Sequence, residues 1–120
     1  MIHAVQLPRH DIDGDFRIFT TQVDVTDLRA LLDRVLPDQG AIELQRDVEG
    51  KEHTWHRNPT DETIVILDGA LRFYWDQGEK ICGSGTVISL PAGMMRGSVA
   101  LKGGATYLVA FHPVDLPQHG

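Results

Sequence analysis

The sequence has one cysteine, Cys82, in 120 residues, so no internal disulfide can form and a reducing cytoplasm is the expected location. Cys82 itself reads as a small buried hydrophobe rather than a nucleophile. Basic residues are also short. Eleven against 17 acidic residues give a net charge of −6, with no basic cluster, which argues against non-specific binding to nucleic acid or an anionic membrane. No apolar run approaches the ~20 residues that span a bilayer. The opening MIHAVQLPRHD lacks a basic head followed by an apolar core, so neither a membrane span nor a secretory signal is expected. Internal repeats and low-complexity segments are absent too. What remains is ordinary for one folded soluble domain: 42% hydrophobic and 23% charged residues.

Hydrophobic periodicity divides the chain at about residue 40. Ahead of it, IHAVQL and FRIFT read as short strands, and VTDLRALLDRVLP as the one helix, over residues 26 to 36. Leu28, Leu31, Leu32, Val35 and Leu36 form a single apolar stripe at i, i+3, i+4, i+7 and i+8. Thr26 is the expected N-cap and Pro37 the stop. Beyond residue 40 the period falls to two. AIELQRDV, KEHTWH, ETIVIL, ALRFYW, KIC, TVISL, RGSVAL and ATYLVAF read as strands, with LDGAL, DQGEK and KGGAT as hairpin turns. The pattern predicts an all-β, antiparallel domain: a barrel over residues 41–113, strands and helix of 1–40 packed on it, and a tail at 114–120.

Alternation places His56 and Asn58 on one face of a strand, with Trp55 and Arg57 on the other. Glu62 follows after a turn containing Pro59, and neighbouring antiparallel strands can bring the three polar ends together inside a barrel. Polar groups there are costly unless they bond one another, a ligand or a metal, so the three mark a candidate site. His53 has the opposite parity and is expected outside, unless a bulge intervenes. His112 reads as a surface residue, His3, His10 and His119 as solvated, and Trp55, Phe73 and Trp75 as packing or a subunit contact.

The run Gly50, five residues, His56, one residue, Asn58, three residues, Glu62, six residues, Gly69 resembles the first sequence motif of the cupins. Gly85, five residues, Pro91, one residue, Gly93, two residues, Arg96 resembles the second. Fifteen residues separate Gly69 from Gly85, and the resemblance covers roughly residues 41 to 112. It implies an RmlC-like jelly-roll β-barrel with the helix outside. It also implies a pocket for one iron, manganese, nickel, zinc or copper ion, held by two histidines and a glutamate from the first motif and a histidine from the second. His56 and Glu62 stand at two of those positions. Asn58 replaces the second histidine, Arg96 replaces the last, and Ala100 stands where the second motif often has Asn.

That departure decides the expected chemistry. Transition metals take imidazole, carboxylate or thiolate donors, whereas Asn58 offers one neutral oxygen and Arg96 no lone pair. An inward guanidinium ~4 Å from a dication would repel it by several kcal/mol at an effective dielectric near ~20. No cofactor is therefore expected, and a divalent transition metal on His56, Asn58 and Glu62 is the alternative. Arg96 is expected to pair with Glu62 or to hold a carboxylate or phosphate of a small ligand, unless it turns to solvent and leaves the pocket a remnant. Ligand-binding candidates are His56, Asn58, Glu62, Arg96 and Met94, with His56 and Glu62 the candidates for acid–base catalysis. Three functions stay open: a small-molecule-binding cupin with a polar pocket for an anion, a metal-dependent cupin enzyme, and a non-catalytic sensor or structural module. The expected partners are a small molecule and a second copy in a homodimer, since ALRFYW is a dense aromatic strand; nucleic acid and membrane are not expected.

Overall fold

The computed structural model describes residues 16–119; IHAVQL, His3 and His10 lie outside the described residues. Its elements are β1 (Arg17–Thr20), α1 (Leu28–Val35), β2 (Ile42–Asp47), β3 (Glu52–His56), β4 (Glu62–Trp75), β5 (Gly78–Gly83), β6 (Thr86–Leu90) and β7 (Arg96–Ala110). Every strand pairing is antiparallel. The hydrogen-bonded order is β1-β6-β4-β7-β2, with β5 added on β4 and β3 on β7.

Two long strands make the barrel. The first half of β4 lies between β6 and the second half of β7, and its second half between β5 and the first half of β7. The sheet thus doubles over into two facing layers that share β4 and β7, a jelly roll whose hydrogen bonding does not close into a ring among the described residues. LDGAL and KGGAT are where the doubling happens, and neither is a hairpin turn. ETIVIL and ALRFYW are one strand, β4, and RGSVAL and ATYLVAF are one strand, β7, each interrupted by a change of register near Gly69 and Gly103–Gly104. An Asp-Gly pair between apolar runs is the usual hairpin signal, but the same glycine conformation serves a bulge that bends a continuing strand. Gly69, at φ 76°, lies against Gly104; a Cβ there would sit 2.0 Å from the Gly104 carbonyl oxygen. DQGEK is a hairpin, with Trp75 opposite Gly78.

The run TIVIL does not alternate because both of its faces are buried. Ile64 and Ile66 point inward with Leu71, Phe73, Cys82, Ile88, Leu90 and Val109, forming the core between the layers. Val65, Val87 and Leu108 point outward and pack under α1 with Phe19, Leu31, Val35 and Leu116. Helix α1 is therefore outside the barrel but shorter than the expected span of 26 to 36, with Leu28 and Leu36 half-exposed. Thr26 is not its cap. Thr26 bonds back to Asp24 through both its amide and its hydroxyl, and Asp27 caps the helix by accepting from the Ala30 amide at 3.2 Å. Residues after 113 return along β1, where the Pro117 carbonyl accepts from both the Gln22 amide and the Thr21 hydroxyl.

Candidate functional site

Two loops clamp each other at one end of the barrel. The Gly93 amide donates to the Asn58 carbonyl at 2.8 Å, and the Ala92 amide to the Asp61 carboxylate at 2.8 Å. This seats Asn58, in one loop, and Glu62, which opens β4, beside Arg96, which opens β7. Arg96 donates from Nη2 to Glu62 Oε1 at 3.0 Å, and Asn58 donates from Nδ2 to Glu62 Oε2. Arg96 and Glu62 are 4% and 7% exposed, so the ion pair is inside the protein. Both carboxylate oxygens of Glu62 are engaged.

These three residues, with His56, line a cavity of about 210 Å³. His56 Nδ1 lies 2.6 Å from the Thr54 carbonyl, a contact that requires a proton on Nδ1 and leaves Nε2 the acceptor in the neutral ring. Phe73, Val109 and Phe111 supply apolar wall. Met94 does not. It sits in the turn before β7, packs against the inner core, and faces a separate cleft with Phe16, Trp75 and Met95. Position 94 precedes the first paired residue of β7, so strand alternation does not carry it to the lumen.

His53 lines the same cavity as His56, contrary to its parity. His53 pairs with Ser98 and His56 with Arg96, so three steps on β3 answer two on β7. That extra residue is a bulge, and it turns both histidines inward. His53 Nε2 lies 3.0 Å from Asp47 Oδ2, which also accepts from the Tyr107 hydroxyl at 2.8 Å. Burial first, and then the bond to Asp47, raises the Tyr107 pKa well above its usual range. Asp47 and Tyr107, both buried, and the partly exposed His53 thus form a second polar cluster that the sequence reading missed. The other two described histidines stay out of the cavity: His112 offers its backbone carbonyl to Thr63 and His119 is exposed. The aromatics of ALRFYW are largely covered by their own chain. Phe73 is in the core, Trp75 meets Phe16 edge-on at 5.0 Å, and Tyr74 lies under a half-exposed Trp55 at 4.9 Å.

No protein-family model matches the chain, and no curated protein matches it in sequence. Among solved structures it is similar to a cupin superfamily protein from Desulfitobacterium hafniense, at 15% identity and a TM-score of 0.55 over 65% of this chain and 72% of that one. A DUF861 family protein from Thermotoga maritima matches at 18% identity and 0.55, covering 80% of this chain and 98% of the other. A cupin-2 domain containing protein from Shewanella frigidimarina matches at 19% and 0.52, over 76% and 95%. The chain has the cupin fold.

The metal that this fold commonly carries does not suit the residues present. Two of its usual positions hold an amide and a guanidinium, and the carboxylate that remains is already occupied by both. Among the described residues, no group of three His, Cys, Asp or Glu side chains is placed to hold a metal ion.

Proposed function

We propose that this chain is a small-molecule-binding cupin whose polar cavity takes the anionic group of its ligand, with no tightly bound metal. The observation that carries this reading is the state of Arg96. A guanidinium has five N–H donors, and Arg96, buried on the cavity wall, has one bond, to Glu62, among the described residues. A buried donor without a partner costs ~1–3 kcal/mol, and a carboxylate or phosphate of a ligand is the acceptor that fits a guanidinium fork. Since Glu62 already balances Arg96, the incoming group needs a further donor, and the second N–H of the Asn58 amide on the same wall can supply it. A cytoplasmic location belongs to this reading and draws support from the single buried thiol of Cys82. So does a homodimer, supported by Trp55 and Ile81, exposed at 51% and 66% on the outer face of the β5-β4-β7-β3 layer.

The test is calorimetric titration of chelator-treated protein with acetate, repeated on a variant in which Glu62→Leu and Arg96→Met remove the pair together. Saturable binding by the first and none by the second is expected. Equal binding by both, or none by either, refutes the reading.

A further inference from the structure

The cavity wall formed by β2 reverses the ordinary pattern of a barrel strand. Glu43, Gln45 and Asp47 lie opposite Val109, Tyr107 and Ala105, which face the interior, so all three point inward. Leu44 points outward and is 66% exposed. Asp47, the buried one of the three, is satisfied by His53 and Tyr107, as a buried polar group must be, whereas Gln45 is half-buried and Glu43 exposed. The others are half-satisfied. Gln45 donates to Glu43 at 2.8 Å. That leaves the Gln45 carbonyl oxygen and second N–H, one Glu43 oxygen, and the Ser98 hydroxyl lining the cavity without a side-chain partner among the described residues. His53 joins the row with Nδ1 free, since Nε2 faces Asp47.

Acceptors and donors interleaved along one wall match a ligand group that both donates and accepts, and hydroxyl is that group. Successive inward positions on a strand are ~6.6 Å apart, the reach of a chain of about five or six carbons. Phe73, Val109 and Phe111 offer the apolar surface that the C–H face of such a chain needs. At about 210 Å³ the cavity is also smaller than the ~300–1,000 Å³ of drug-sized sites. An apolar tail would strand Glu43 and Gln45, and a second carboxylate would face Glu43 with Asp47 behind it.

We infer that the ligand is a short polyhydroxylated carboxylate. Its carboxylate lies on Arg96 and its hydroxyls lie along Glu43, Gln45, His53 and Ser98. This inference rests on the anion reading above and specifies the rest of the molecule. The wild-type protein is titrated by calorimetry with acetate, gluconate, sorbitol and adipate, which separate the carboxylate, the hydroxyls and a second charge. Gluconate is expected to bind at least about tenfold tighter than acetate, with sorbitol and adipate weaker than gluconate. Gln45→Leu, at a half-buried position and checked for folding by circular dichroism, lowers the gluconate-to-acetate ratio toward unity. If acetate and gluconate bind alike, or adipate equals gluconate, the hydroxyl row is not a binding surface and this inference fails while the anion reading stands. Sorbitol binding as tightly as gluconate with acetate silent, or no binding by any probe, overturns both.

Discussion

Arg96 and Glu62, 34 residues apart in sequence, meet inside the barrel at 3.0 Å, where the fold's metal would otherwise draw on a histidine and a carboxylate. A buried ion pair is weak evidence of stability, because desolvation offsets much of the attraction, but an orphaned member is costly. Glu62→Leu alone, which leaves Arg96 buried and unpaired, is expected to lower the unfolding free energy by ~3–5 kcal/mol. The double replacement by Leu and Met is expected to cost less than that single change. Urea unfolding of the two variants and of Arg96→Met measures the coupling; additive losses would mean the pair is not energetically joined.

Among the described glycines, Gly69 stands closest to a backbone neighbour. Gly69→Ala introduces a Cβ that would stand 2.0 Å from a backbone oxygen, in a left-handed conformation besides. A loss well beyond the ~1–2 kcal/mol of left-handed strain alone is expected. Gly103→Ala, where φ is 87° but nothing lies within 4 Å, should show that smaller cost. Chemical denaturation of both variants provides the comparison.

Burial pushes the Cys82 thiol from 9.0 up to about 11. The folded state therefore keeps a proton that the unfolded state releases. The stabilisation is complete below pH 9 and is lost as pH rises through 11, by on the order of 2 kcal/mol. Tyr107, raised for the same reason, extends the loss further into alkali. Unfolding midpoints between pH 8 and 12 should fall less steeply in Cys82→Ala than in the wild type.

Much of this architecture is legible in the residues. The unbroken TIVIL run signals a strand covered on both sides, and the paired motifs carry His56, Asn58, Glu62 and Arg96 into one cavity. Two of the misreadings share a physical cause, which is that bulges break the period of two on which inside and outside are judged. One extra residue between His53 and His56 turns His53 inward, and the bends at Gly69 and Gly104 mimic hairpin turns. Along β2, alternation alone would bury Ile42 and Leu44 in the lumen. Only the register against Tyr107 shows that the polar set Glu43, Gln45 and Asp47 faces it. Met94 lies in another cleft for a different reason: Arg96, two residues on, is the first residue of the strand, and the turn before it obeys no alternation.

The proposed function requires a guanidinium–carboxylate pair in place of a metal centre. Elemental analysis of the wild-type protein, expressed in rich medium and dialysed without chelator, tests it most directly. Arg96→His with Asn58→His, which restores the missing imidazoles, serves as the positive control. The wild type is expected to retain iron, manganese, nickel, copper and zinc only in traces, and the double variant to retain substantially more. A full equivalent of any one of these metals in the wild-type chain would contradict the account.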